Sequence, residues 1–189
     1  MERAQERELL QQAEAYGFEV LSLLSVETTI RCAELEDATA LHEVQTASVR
    51  GLCSRCYTPE IIEGWLLNRT PEGYRAPILA GSIFIAERGL RIVGFSEAIP
   101  GTVVRLYVHP TATGQGVGSA LLARALAVAA HGQLGPVQLE STLNAQSFYE
   151  RFGFQKIAQV AVQCNHVRIP VVLMERVRAG PFVQLEDAT

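Results

Sequence analysis

The sequence predicts an α/β (α+β) domain built on a mixed, mostly antiparallel central sheet of about six to seven strands, with helices on both faces. Three observations predict it. Short apolar runs at 82–86, 91–98 and 103–108 follow one another across Arg88-Gly89 and Pro100-Gly101 turn signals, which makes an antiparallel meander. After residue 108 helical and strand-like segments alternate, as in a sheet covered by helices. The composition suits one packed domain: 189 residues, 48% hydrophobic and 19% charged, with mean hydropathy +0.14. Such a chain is not mainly disordered. Arg124 interrupts the longest alanine and leucine stretch well short of the ~18 apolar residues of a membrane span.

Residues 2–16 read as a polar helix whose apolar stripe is only Leu9, Leu10 and Ala13, and 20–24 as a short strand or linker. This acidic N-terminal extension, residues 1–28, carries Arg3 and Arg7 against six glutamates and so holds the whole net charge of −4. The expected domain, 29–177, and the C-terminal tail, 178–189, are together neutral. A pI near 5.6 and a neutral domain argue against a sequence-independent nucleic-acid binder. The start shows no basic segment followed by an apolar core, so no signal peptide is expected, and a cytoplasmic location follows.

Residues 28–33 form a first strand, and Asp37 is placed to cap a helix that brings Leu41, Val44, Ser48 and Leu52 to one face. Thr58-Pro59-Glu60 is a second helix start: a hydroxyl cap, proline in the first turn, then an acid near the positive end. That helix runs through Ile61, Ile62, Trp65 and Leu66, and Pro71-Glu72-Gly73 reads as a loop. The three meander strands follow, then a helix at 117–130, a strand at 137–141 and a helix at 144–152. Strands at 153–164 and 167–176 close the domain as a hairpin turning near Asn165.

Four cysteines give no disulfide framework. Cys32 and Cys164 read as small buried thiols in strands. Cys53 and Cys56 form a lone C-x-x-C with no second pair at zinc spacing, which reads as two reduced thiols near a helix end. His42, His131 and His166 show no ligand spacing, so no metal is expected.

The most informative segment is the strand Leu106-Tyr107-Val108, the turn from His109 to Gly118 and the helix after it. Gly114, Gly116 and Gly118 let backbone N–H groups approach an anion, and the helix adds its unpaired amides and positive end, so a phosphate is the natural ligand. Gly-Lys-Ser/Thr is missing, which excludes a P-loop. The dinucleotide fingerprint fails as well, with Ser119 or Leu121 at its last position. A second segment, Asn144-Ala145-Gln146-Ser147-Phe148-Tyr149-Glu150-Arg151-Phe152-Gly153-Phe154, offers Asn144 as a cap, Phe148 and Phe152 as a core stripe and Gly153 as a stop. Core packing does not explain Tyr149, although an amphipathic interface tyrosine is its ordinary reading.

Together, in this order and spacing, the two segments resemble the GNAT family of acetyl-CoA-dependent N-acetyltransferases. The family's Q/R-x-x-G-x-G/A motif aligns with Thr113-Gly114-Gln115-Gly116-Val117-Gly118, and its Asn-x-x-x-Phe-Tyr-Glu-x-x-Gly-Phe signature with Asn144 to Phe154. By element order the resemblance runs from Thr29 to Arg176. Thr113 departs from the family's Arg or Gln, which removes a cation but leaves the backbone amides.

The resemblance implies a GNAT-like fold with acetyl-CoA as cofactor. It places Leu106, Tyr107 and Val108 along the pantetheine arm, where a bulge splays that strand from its neighbour. It places Thr113, Gly114, Gln115, Gly116, Val117, Gly118 and Ser119 at the pyrophosphate. Asn144 is a further cofactor contact or simply a cap. The Val108 N–H is implied as oxyanion donor. Tyr149, with a reference pKa of about 10, is implied as the acid for the departing thiolate. Glu97 is the first choice of base, equally readable as an outward solvated carboxylate, with Glu140 and His109 in reserve and His109 better read as structural.

The expected partner is an amine of a small molecule or peptide, with no nucleic acid or membrane, and homodimerisation is left open. Ser48, Arg50, Tyr57, Trp65 and Arg168 are candidate acceptor contacts. The competing reading is a non-catalytic acyl-CoA-binding sensor on the same fold.

Overall fold

The computed structural model describes residues 27–177. The expected extension 1–28, apart from its last two residues, and the tail 178–189 lie outside the described residues. Thr28 already belongs to the first strand.

Strand β1 (Thr28–Cys32) leads into helix α1 (Ala38–Leu52), then α2 (Pro59–Leu66) and the short α3 (Arg75–Leu79). The meander follows as β2 (Ile83–Arg88), β3 (Arg91–Ile99) and β4 (Thr102–Val108). Helix α4 (Val117–Ala129), strand β5 (Val137–Thr142), the single-turn helix α5 (Gln146–Glu150) and the hairpin β6 (Gln155–Cys164) and β7 (Val167–Arg176) complete the chain. All seven strands form one sheet in the order β1-β2-β3-β4-β5-β7-β6. Only β4 and β5 run parallel, because α4 crosses over between them; every other neighbour is antiparallel.

Helix α4 covers one face of the sheet. Its Leu122, Ala125 and Ala129 are fully buried against Ala98, Val103, Val137 and Leu139, and its Leu121 against Ala86, Val108 and Ala112. Burying each leucine contributes about 1.5–3 kcal/mol. The opposite face carries α1, whose Leu41 and Val44 meet Ile83, Ile85 and Phe95. Helix α2 sits over β7, packing Ile62 and Trp65 on Val167, Ile169 and Val171. The Thr58 hydroxyl accepts from the Ile61 N–H as the proline-led start requires. Asn165, at φ 50°, makes the tight turn between β6 and β7, and its side-chain amide donates to the Gly64 and Leu67 carbonyls, pinning the hairpin to the end of α2.

Four local expectations are corrected. Asp37 occupies the cap position of α1 without capping it, because its carboxylate already takes the Glu34 N–H at 2.7 Å and two hydrogen bonds from Arg31. Arg31 also grips Glu87, so one guanidinium ties β1, β2 and the entry to α1 together. The segment after Pro71 is not a loop: a 3-10 turn, Pro71–Tyr74, runs into α3 and buries Tyr74, whose hydroxyl donates to Gln45. The helix expected at 144–152 is reduced to Gln146–Glu150. Cys32 is exposed on the edge strand, Cys164 is half-buried, and all four cysteines are free.

Candidate active site

Strand β4 carries one extra residue at Val104: Arg105 pairs with Glu97 and Val103 with Ala98. This is the bulge expected on this strand, seated near its start. Beyond it β4 parts from β5, for the parallel ladder contains only Thr102 with Gln138 and Val103 with Leu139. From Val104 to Val108 the β5-side edge of β4 is therefore open. Gly94 stands opposite Val108, and the His109 N–H donates to the Val93 carbonyl at 2.8 Å, so Gly94 and Val108 exchange no hydrogen bonds. The backbone groups of Val108, and two residues earlier those of Leu106, consequently face the gap.

A cavity of about 420 Å³ fills this gap and reaches the glycine-rich turn. Its walls include Leu106, Tyr107, Val108, Thr113, Gly114, Gly116, Gly118, Ser119, Asn144 and Tyr149. Among the described residues, no carbonyl accepts from the amides of Gly114 to Ser119; the first bond of α4 runs from the Ala120 N–H to the Gly116 carbonyl. Gly116 has φ +81°, and a Cβ built there meets nothing within 4 Å. The glycine thus serves the left-handed turn and leaves open the approach to a cluster of unpaired donors.

Two predicted residues stand outside these walls. Gln115 turns its side chain back to donate to the Thr111 carbonyl at 2.9 Å and accepts from Arg88. Val117 buries its side chain against the core. The Thr113 hydroxyl donates to the Pro110 carbonyl, closing the turn. Asn144 lines the cavity but does not cap α5, whose cap residue is Ala145. Sequence reasoning overlooked Arg151, the one cation among the residues lining this cavity, which lies over the Phe148 ring at 5.9 Å. Its place two residues after Tyr149 in the second motif was the available signal.

The Tyr149 ring is buried edge-on against Phe148 and Phe154, with centroids at 5.0 and 5.8 Å. Its hydroxyl has no protein partner, yet it is not among the sealed, unsatisfied polar atoms, so it opens onto the cavity. Burial pushes the phenol above its ordinary pKa, which keeps it protonated.

Tyr149 also lines a second cavity, about 260 Å³, on the other side of the gap. Tyr107, Leu106, Thr142 and Ala145 are shared between the two walls. Gln45, Trp65, Arg69, Arg105 and Glu140 also line the smaller one, as do Gln163 and Cys164 of the hairpin. Glu97 lines neither cavity. It is buried, with Arg105 Nε 2.7 Å from its Oε2 in an ion pair that lacks hydrogen-bond alignment. Burial raises the Glu97 pKa against the opposing pull of Arg105.

The remaining candidates separate clearly. Ser48 lines the larger cavity and Trp65 the smaller. Arg50 pairs with Glu63 at the surface, and Arg168 is exposed and lines neither cavity. The Tyr57 hydroxyl donates to the Pro170 carbonyl and accepts from the Leu143 N–H, bracing the gap's far side. His109 caps a 3-10 turn by accepting from the Thr111 N–H.

The family model of the acetyltransferase (GNAT) domain matches residues 80–156. The uncharacterized N-acetyltransferase YafP of Escherichia coli (strain K12) is 27% identical over 112 residues, covering 59% of this chain and 71% of that protein. A GCN5-related N-acetyltransferase from Rhodopseudomonas palustris superposes with TM-score 0.73 at 27% identity, over 79% of this chain and 94% of the other. The PaiA N-acetyltransferase of Thermoplasma acidophilum, solved with coenzyme A, shares the fold at TM-score 0.65 and 22% identity, over 80% and 99%. Among the described residues no helix is long and apolar enough to cross a membrane.

Proposed function

The chain belongs to the GNAT family of N-acetyltransferases, and from that premise we propose that it moves the acetyl group of acetyl-CoA to a primary amine of a small molecule or peptide in a ternary complex. The observation that carries this reading is the gap between β4 and β5, with two cavities meeting at Tyr149. The larger cavity fits the cofactor on its own terms. It offers unpaired amides from Gly114 to Ser119 for a pyrophosphate, Arg151 as a cation in place of the one Thr113 lacks, and an open strand edge for an amide-bearing arm.

When bound, acetyl-CoA supplies an activated acetyl thioester. The Val108 N–H, directed into the gap, would donate to the thioester carbonyl oxygen as negative charge develops there. Attack would form the new C–N bond and break the C–S bond; the Tyr149 hydroxyl would give its proton to the departing thiolate and be restored by the second proton that the nitrogen loses as the amide forms. Glu97 removes the ammonium proton through water reaching Oε1, the oxygen that is not sealed, and its raised pKa suits it to that role. We place the reaction in the cytoplasm, where four free cysteines stay reduced.

The test pairs calorimetric titration of acetyl-CoA with thiol release across an amine panel. Binding with acceptor-dependent release supports the proposal. Binding with no release on any amine, and no difference on Tyr149→Phe, would leave an acyl-CoA sensor instead.

A further inference from the structure

The smaller cavity contains two guanidinium groups that the transfer chemistry does not use. Arg69 follows α2 and folds back so that its Nε donates to the Trp65 carbonyl at 3.4 Å, with Nη2 near the Cys164 sulfur at 3.7 Å. It is half-buried and makes no ion pair with a described residue. Arg105 enters the same cavity from β4. Its Nε is committed to Glu97, while neither Nη nitrogen donates to any described protein acceptor. Both side chains line this one cavity, and the Arg105 guanidinium also lies over the Tyr74 ring, 5.7 Å from its centroid.

A partly desolvated guanidinium with no counter-ion is unfavourable unless a ligand supplies the anion, and its planar fork matches a carboxylate. The cavity is also small. At about 260 Å³ it falls below the roughly 300–1,000 Å³ of pockets that enclose drug-sized molecules.

We propose that the acetyl acceptor is a small amine that also bears a carboxylate, of the amino-acid class, with the carboxylate held by Arg69 and the free end of Arg105. The proposal rests on the transfer reading above and narrows its substrate. The carboxylate anchors at the arginine end, and the amine points toward Tyr149 and the gap. The step itself is unchanged: the ammonium proton passes to Glu97, the amine nitrogen gains the acetyl carbon, the thiolate leaves with the Tyr149 proton, and the second nitrogen proton restores Tyr149 as the amide forms. Glu97 has a second task here, as a positioning residue that holds Arg105 by its Nε and so directs the terminal nitrogens.

The experiment uses the full chain, acetyl-CoA and matched acceptor sets: the L-amino acids, their primary amides and the amines that lack the carboxylate. The best amino acid should exceed its own amide by on the order of 100-fold in kcat/KM, the scale of losing a charge-assisted pair. Arg69→Gln should raise KM for that amino acid by about 10–100-fold while kcat falls far less, and should collapse the acid-to-amide ratio; Arg69→Lys should restore part of it. Amides or simple amines used as well as the acids would overturn the proposal while leaving acetyl transfer intact. Should no acceptor turn over, calorimetry with N-acetyl amino acids and their amides in the presence of coenzyme A decides separately. Selective binding of the acids supports the carboxylate site even as the transfer reading fails, and binding of neither overturns it.

Discussion

Gly94 stands opposite Val108 in a pair that exchanges no hydrogen bonds, and that parity turns the Val108 N–H out of the sheet's own ladder toward the gap. Gly94 is also tightly enclosed. A Cβ at this position would lie 2.9 Å from Leu121 Cδ1, 3.0 Å from the Tyr107 carbonyl and 3.1 Å from Val117 Cγ1. The proposed oxyanion donor is thus backed by the first turns of α4. Gly94→Ala should destabilise the protein by about 1–3 kcal/mol in urea unfolding, because the Tyr107 backbone cannot yield as a side-chain tip can. It should also lower kcat, since relief of the clash shifts β4 against α4; an unchanged kcat would detach Val108 from the chemistry.

Gly116 differs, because a side chain there has open space but the wrong backbone. Gly116→Ala should fold with a loss of about 1–2 kcal/mol from the left-handed conformation. Acetyl-CoA affinity should drop tenfold or more, as the Cβ blocks the approach to the amides. Calorimetry on the folded variant reads this directly, and retained affinity refutes the phosphate cradle.

The Tyr149 hydroxyl binds no protein group, so removing it breaks no internal hydrogen bond. Tyr149→Phe should leave thermal stability and acetyl-CoA affinity nearly unchanged while turnover falls by about 10²–10⁴-fold. Equal losses in affinity and turnover would mark the ring, rather than the hydroxyl, as the important part.

Glu97 is held above the ordinary carboxylate range by burial. The acidic limb of kcat/KM should therefore fall above the reference value of about 4.3. Below that limb Glu97 is protonated and cannot accept; above it the base is competent. Glu97→Gln should remove the limb and move activity to higher pH, where the amine deprotonates unaided. A pH profile identical to that of the parent excludes Glu97 as base.

Asp37 shifts in the opposite direction. Burial alone would raise its pKa, but the Arg31 hydrogen bonds and the Glu34 N–H outweigh it and hold the carboxyl below its usual range. Its stabilisation is therefore complete above the unfolded pKa of about 3.9 and is lost as pH falls through the lower, folded value. Asp37→Asn should cost about 1–3 kcal/mol near neutral pH, with the gap to the parent protein closing in strong acid. Denaturation at pH 7 and again in acid below the folded value measures both ends.

Features set by neighbouring residues were legible in the sequence. The Thr58 cap, the Asn165 turn, the glycine-rich turn and the alternation of the meander each depend on a few adjacent residues. The role of Asp37 is not legible locally because its partner Arg31 comes from the preceding strand, and Arg31 is in turn shared with Glu87, 56 residues away from it. Asn144 has a capping residue's chemistry, but the helix begins one turn position later and leaves its side chain to the cavity wall. Arg69, Arg105 and Arg151 carry no motif of their own in the sequence. They become site residues only through where β4 leaves β5, and long-range pairing decides that.

The brevity of the β4–β5 ladder has a mechanical side as well. Strands β1 to β4 form one plate and β5, β7 and β6 another, welded along two residue pairs at Thr102 and Val103, while the Tyr57 hydroxyl ties Leu143 to the Pro170 carbonyl within the second plate alone. Load passing between the plates concentrates on that short seam. A ligand lying in the gap and bonding to the free edge of β4 would lengthen the weld, so occupancy of one groove would stiffen the whole molecule.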